Sequence, residues 1–161
     1  MTRAYETELS AKPLRALADV SYPMHDVGAP ISSGSFRTLG MVIAPCSIRS
    51  LAEIANGTTS NLLTRAADVV LKERRRLVLL VRESPLTITH IRNMLAATEA
   101  GGIIAPPVPA FYTHPQTIND LVDHTVGRTL DLFGIDVGNL PRWGEDAASA
   151  RVEPELASQE S

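Results

Sequence analysis

"TRAADVVLKERRRLVLLVRESPL", residues 64–86, is the stretch on which the reading of the fold turns. In its first half Ala66, Ala67, Val70 and Leu71 continue an apolar stripe begun by Leu62 and Leu63, with the spacing of one helical face. In its second half Leu77–Val81 is an unbroken apolar run of strand length, as expected of a parallel strand covered on both faces. Six cations lie around these runs, and Arg82-Glu83 follows the strand just before Pro85 turns the chain. A helix feeding a buried strand is the repeating step of a parallel α/β sheet.

The same grammar extends in both directions. Upstream, a short helix over residues 12–19 ends near Tyr22-Pro23, and "APISSGSF" (Ala29–Phe36) reads as a Ser/Gly loop. Met41–Ala44 is a buried strand, and Cys46-Ser47 opens a helix to about Ala55 that Gly57 stops. Thr59, Ser60 or Asn61 caps the next helix, which runs to about Arg75. Downstream, Thr87 or Thr89 starts a helix ending near Glu99, Ile103–Ala105 is a third strand, and Thr117 with Asp120 forms a capping box for a helix to Phe133. These elements predict an α/β fold: a three-layer, Rossmann-like or flavodoxin-like parallel sheet with helices on both faces.

The 161 residues are 44% apolar, enough for one domain with a core. Residues 1–143 are expected to form that domain, and 144–161 an acidic, disordered tail: five acids against Arg151 alone. The rest is then nearly neutral with local basic clusters, which suits small anionic ligands better than nucleic acid. No run reaches the ~18 apolar residues of a membrane helix, and Met1–Ala11 has no apolar signal core. The single Cys46 excludes a disulfide framework within the chain, which points to the cytoplasm. His25, His90, His114 and His124 have no metal-ligand spacing.

In a parallel sheet ligands sit beyond the carboxyl ends of the strands. This selects Pro45–Ser50, Arg82–Pro85 and Pro106–Tyr112. Ser47 heads a helix whose free N–H groups make an anion site, with Arg49 and Ser50 beside it; the plainer alternative is an ordinary capping serine. Arg65, Asp68 and Lys72 share one helical face, as an anion clamp or as a solvated ion-pair face. Arg82 and Glu83 point to opposite sides of a strand end, either as a brace with a general base or proton relay, or as a salt bridge. "PPVPAFYTHP" is a proline-stiffened loop with Tyr112 at its tip, a pocket rim or a surface turn, and Arg128 interrupts the apolar stripe of the last helix.

Three blocks carry a resemblance: "ISSGSFRTLGMVIAPCSIRSLAEIANG", "LLTRAADVVLKERRRLVLLVRESPLTITHIRNML" and "GGIIAPPVPAFYTHPQTINDLVDHTVGRTLDLFGI". Together they resemble the UbiX flavin prenyltransferases, from about Tyr5 to Trp143. The resemblance implies a metal-independent transferase that joins the dimethylallyl group of dimethylallyl phosphate to N5 and C6 of reduced FMN. The prenylated flavin would serve UbiD-type decarboxylases in ubiquinone synthesis or aromatic acid metabolism. It also implies a homododecamer with active sites at subunit interfaces. By the same resemblance Arg65, Lys72, Tyr112 and Arg128 contact the prenyl phosphate, and Glu83 handles protons. Ser47, Ile48, Arg49, Ser50 and Arg82 bind FMN, while Glu6 and Trp143 lie near the prenyl group.

The chain departs from the family pattern at its start. The family's N-terminal βαβ segment, with its GxSGxxG loop and catalytic serine, has no counterpart before Gly28. Three explanations follow: a start codon placed too late, a shortened paralogue, or a fragment completed by another chain. The expectation is that these 161 residues alone turn over little. Two other functions stay open: a non-catalytic paralogue that binds partners, and a flavin-dependent decarboxylase of the same superfamily.

Overall fold

The computed structural model describes residues 10–138. Three strands, β1 (Gly40–Cys46), β2 (Arg76–Val81) and β3 (Ile103–Ile104), form one parallel sheet in the order β1-β2-β3. The helices are α1 (Ala11–Arg15), α2 (Ile48–Ala55), α3 (Leu62–Lys72), α4 (Ile88–Glu99) and α5 (Ile118–Asp131). Short 3-10 turns occupy Pro30–Ser32 and Phe111–Thr113. The chain divides after Ile104 into two compact units, the sheet with α1–α4 in the first and α5 with the loop before it in the second. No helix among the described residues is long and apolar enough to cross a membrane.

The core of the first unit follows from the apolar runs. Leu77, Val78 and Leu79 of β2 are fully covered and Leu80 and Val81 nearly so, hence both faces of this strand are buried. Leu51 and Ile54 of α2, Ala67 and Val70 of α3 and Ala97 of α4 pack with them. Gly102 permits the tight passage from α4 into β3: a Cβ there would meet the Ala97 carbonyl oxygen at 2.9 Å.

β1 behaves differently from its expectation. Ile43 and Cys46 are buried, but Val42 and Ala44, on either side of Ile43, are exposed. Among the described residues β1 pairs with β2 alone, and the face that carries Val42 and Ala44 is open. Its register with β2 runs from Gly40 opposite Arg76 to Ile43 opposite Leu79, then slips before Cys46. Pro45, which has no N–H to give the ladder, lies in that slip.

The helix starts match the capping residues. Ser47 accepts from the Ser50 N–H, and Asn61, out of three candidates, accepts from Thr64. Thr87 and Thr117 each build a reciprocal capping box, with His90 and Asp120. Several boundaries differ from the expectation: β1 spans Gly40–Cys46 rather than Met41–Ala44, and α5 ends at Asp131 rather than Phe133. α1 stops at Arg15, β3 is limited to Ile103–Ile104, and α3 ends at Lys72 rather than near Arg75. The last has a clear cause: Arg74 adopts a left-handed conformation with φ of 57°. Its N–H bonds Leu71 O while that of Arg75 bonds Val70 O, closing a Schellman turn.

Candidate functional site

Parallel pairing sets the carboxyl ends of the strands along one edge of the sheet. At that edge Cys46 leads directly into α2. Ser47 Oγ takes the Ser50 N–H at 3.2 Å and lies 3.1 Å from Ser50 Oγ. The first amides of a helix have no intrahelical partner, so those of Ile48 and Arg49 face the end of the helix, where its dipole favours an anion. The Arg49 side chain turns instead along α2 to Glu53, 3.0 Å away. The Ser60 hydroxyl and then Arg49 hold the Glu53 carboxyl below its usual range. Cys46 is fully buried, and desolvation pushes its thiol up to about 11, which makes it a packed side chain and a poor nucleophile at neutral pH.

Past β2 the Arg82 N–H bonds Cys46 O at 3.3 Å, tying the two strand ends together. Glu83 is exposed and accepts the Ser84 N–H on Oε1 at 3.1 Å. The Ser47–Ser50 segment and the Arg82-Glu83 pair therefore occupy the same edge.

A second set of charges lies along α3, whose last residue leads to the opposite edge. In its first turn Arg65 pairs with Asp68 at 2.8 Å, both partly exposed. Lys72, the last residue of the helix, pairs with its neighbour Glu73. That hydrogen bond and charge, with Arg75 adding to them, lower the Glu73 carboxyl. The Arg75 guanidinium donates to Gly34 O and Phe36 O, both at 2.7 Å, and so clamps the Ser/Gly loop to the end of α3. Gly34 sits close against the Lys72–Glu73 pair: a Cβ there would lie 2.7 Å from Lys72 Nζ and nearer still to Glu73, so those two side-chain ends would have to shift. Lys72 precedes β2 and Glu83 follows it. At about 3.3 Å per residue, the strand separates the two by roughly 20 Å within one chain.

In the second unit Tyr112 stands on the 3-10 turn Phe111–Thr113, and Arg128 on α5 pairs with Asp131 at 2.9 Å. Arg128, His124 and Thr129 share one side of α5 and line a cavity of about 230 Å³ with Pro106 and Val108. His124 is buried, with Nε2 at 3.4 Å from the Tyr112 hydroxyl and the rings edge-on at 5.8 Å.

Among the expected site residues, Ser47, Ile48, Arg49, Ser50, Arg82 and Glu83 thus gather at the carboxyl edge. Arg65 and Lys72 share α3, and Tyr112 and Arg128 belong to the second unit. Glu6 and Trp143 lie outside the described residues. Arg75, Gly34 and His124 escaped the sequence reading. Arg75 was hidden in a basic run at a helix end, where cations are common anyway. His124 carried one faint signal, its position four residues before Arg128.

Comparison with known proteins adds an independent line. A flavoprotein family profile matches residues 10–130. The chain is 55% identical over 143 residues to flavin prenyltransferase UbiX of Neisseria meningitidis, covering 89% of this chain and 76% of that protein. It is 57% identical over 144 residues to flavin prenyltransferase UbiX of Escherichia coli, covering 88% and 76%. A UbiX crystal structure in complex with FMN and dimethylallyl pyrophosphate superimposes with a TM-score of 0.86 at 54% identity, over 88% of this chain and 76% of that one. A dodecameric FMN-dependent UbiX-like decarboxylase from Escherichia coli gives 0.85 at 51% identity, over 88% and 77%.

Proposed function

This chain belongs to the UbiX family of flavin prenyltransferases, and from that premise we propose that it joins the dimethylallyl group of dimethylallyl phosphate to N5 and C6 of reduced FMN. The product is the prenylated flavin that UbiD-type decarboxylases use, in ubiquinone synthesis or aromatic acid metabolism. The observation that carries this reading is the sustained identity to UbiX enzymes across the elements that bear Ser47–Ser50, Arg65, Lys72, Arg82, Glu83, Tyr112 and Arg128.

The residues present fit the ligands. The open N-terminus of α2, with two serine hydroxyls beside the Arg82 strand end, matches an oxygen-rich flavin, which supplies the nucleophilic N5 and C6. Arg65, Lys72, Tyr112 and Arg128 hold the phosphate oxygens and stabilise the charge that develops there as the allylic C–O bond breaks. The exposed Glu83 carboxylate exchanges protons at the carboxyl edge. Glu6 and Trp143 are assigned to the prenyl group.

A site that uses both Lys72 and Glu83 draws on more than one chain, since the length of β2 lies between them. Exposed apolar side chains are available for that assembly: Ile88, Ile91 and Leu95 on α4, and Ile118, Val122 and Val126 on α5. A homododecamer with sites between subunits accommodates both facts, and we place it in the cytoplasm.

The test supplies reduced FMN anaerobically with dimethylallyl phosphate or pyrophosphate and follows the flavin by mass spectrometry. It uses this chain and one preceded by the upstream segment of a UbiX relative. The expected result is prenylated FMN from the extended chain, with the monophosphate preferred. Product from the short chain at the same rate would show that the Gly-rich segment is dispensable. FMN binding without product from either would leave a non-catalytic paralogue, and carbon dioxide release from a cysteine conjugate would make it a decarboxylase.

A further inference from the structure

We propose that Glu53 is a positioning residue for the flavin: it holds the Arg49 guanidinium by its Nε–H and leaves the two terminal amino groups for flavin oxygens. The inference rests on the reading of Arg49 as an FMN contact. Three features of the first unit support it. Arg49 lies in the first turn of α2, where the helix dipole disfavours a cation, so helix stability does not explain an arginine there. Its side chain is 82% exposed, whereas that of Glu53 is 14% exposed. The bond between them, 3.0 Å long, joins Arg49 Nε to Glu53 Oε1. Arginine carries N–H donors on three nitrogens. Among the described residues the Nε–H of Arg49 is engaged, and those on its two Nη atoms remain.

Glu53 is itself held from the start of the next helix. Gly57, with φ of 67°, turns the chain at the end of α2. The Thr58 N–H closes that turn on Glu53 O at 2.8 Å. The Ser60 hydroxyl then donates to Glu53 Oε2 at 2.5 Å. Ser60 Oγ in turn accepts from Asn61 Nδ2 at 3.2 Å, while Asn61 Oδ1 caps α3. Donors thus run from the cap of α3 through Ser60 to the carboxylate, and each bond polarises the next. An isolated exposed ion pair would restrain an arginine little. Here both oxygens of the acid are engaged, and Ser60, followed by Arg49, keeps the carboxyl ionised below its usual range. A free arginine loses rotamer freedom when it meets a ligand, whereas a restrained one has already lost it. On charge alone Glu53 would weaken an anion beside Arg49. Restraint and charge therefore act with opposite signs, and removal of Glu53 tells them apart.

The experiment measures FMN affinity by flavin fluorescence, on this chain and on the chain preceded by the upstream segment of a UbiX relative. NMR relaxation of the Arg49 Nε–H in the flavin-free protein reports the restraint directly. The variants are Arg49→Ala, Glu53→Ala, Glu53→Gln and the Arg49→Ala/Glu53→Ala double. Glu53→Ala should weaken FMN binding about threefold to tenfold, the effect of ordering one flexible side chain, and the Arg49 Nε–H should become mobile. Glu53→Gln, whose amide oxygen accepts the same N–H, should keep most of the affinity. The double variant should bind like Arg49→Ala, because Glu53 acts through Arg49. Melting temperatures report whether each fold is kept. Should Glu53→Ala fail to fold, Ser60→Ala releases one carboxylate oxygen and should weaken FMN about twofold, the size of a weak hydrogen bond. FMN binding by Glu53→Ala, or by Ser60→Ala in its place, equal to or tighter than the parent, with Arg49→Ala impaired, would overturn the role of Glu53 and leave that of Arg49 standing. Multiplying losses in the double variant, or a Glu53→Gln that folds but binds as poorly as Glu53→Ala, would also overturn it. An unimpaired Arg49→Ala, or a parent that binds no FMN in either form, would remove the flavin reading of Arg49 and this inference with it.

Discussion

At the amino edge of the sheet, Lys72 is held by Glu73 and Arg75 donates to two loop carbonyls, with Gly34 pressed against the pair. At the carboxyl edge, Ser47 heads α2, and Arg82 and Glu83 extend past β2 with exposed side chains. The first edge satisfies its charges through its own chain. The second presents a helix dipole, hydroxyls and a carboxylate outward. Both edges contribute to the expected chemistry, yet the six residues of β2 keep them apart. The lesson is that the residues expected to act together fall into separate groups along one chain.

The largest effect should come from Glu83→Gln. It keeps the shape of the carboxyl edge and the affinity for FMN, but product formation should fall by roughly 10²–10⁴-fold, the usual contribution of a positioned proton-transfer group. Co-assembly with Lys72→Ala chains breaks or sharpens the two-edge picture directly. If a site takes Lys72 from one chain and Glu83 from another, mixed oligomers should regain roughly a quarter of intact sites by random pairing. No recovery in verified mixed oligomers would put both residues in one chain's site.

Next in size, Arg65→Ala and Lys72→Ala should each weaken donor binding by about 1.5–3 kcal/mol, the range for hydrogen bonds to charged groups. Donor titrations of the two variants check this, and unchanged kinetics in both would return α3 to a solvated ion-pair face. Arg75→Ala touches no expected ligand contact. It should cost about 1–2 kcal/mol in chemical denaturation, because its two carbonyl bonds hold the loop in the folded state alone. A loss of donor affinity in Arg75→Ala would show that the loop, as well as Lys72, serves the phosphate.

The smallest effect is electrostatic. The Glu73 carboxyl is lowered by Lys72, so the pair stabilises the fold above the ordinary glutamate range and is lost as pH falls through the lowered value. An NMR titration should place Glu73 below an ordinary glutamate in the parent and return it to the usual range in Lys72→Ala. Cys46 has the opposite sign. Its raised thiol stays protonated where an unfolded cysteine ionises, so its contribution is complete below the unfolded value and declines as pH climbs toward about 11. Alkylation of the folded protein at mildly alkaline pH should therefore be slow, and fast after denaturation.

Legibility differed sharply between these features. Ser47, Thr87 and Thr117 were readable as caps because a cap bonds the backbone three residues on. β2 was readable because a strand buried on both faces leaves an unbroken apolar run. β1 has a similar run but an open face, since apolar sequence reports only that a face can be covered. For the site, the residue types and their strand ends were visible, while the separation of Lys72 from Glu83 was not. The extended strand β2 turns the eleven positions between them into distance.

What the sequence determined by itself was local: helical and strand periods, caps, the anion-ready start of α2 and the family whose blocks it shares. These depend on bonds and contacts among residues a few positions apart, whose preferences are set by side-chain type. Only the tertiary structure decided that Arg75 clamps Gly34, forty-one positions away. It likewise decided that Arg74 ends α3 in a left-handed turn and that His124 meets the Tyr112 phenol. Such pairings join groups that the chain brings together after its elements have packed, and any of several cations or histidines would have satisfied the same local pattern.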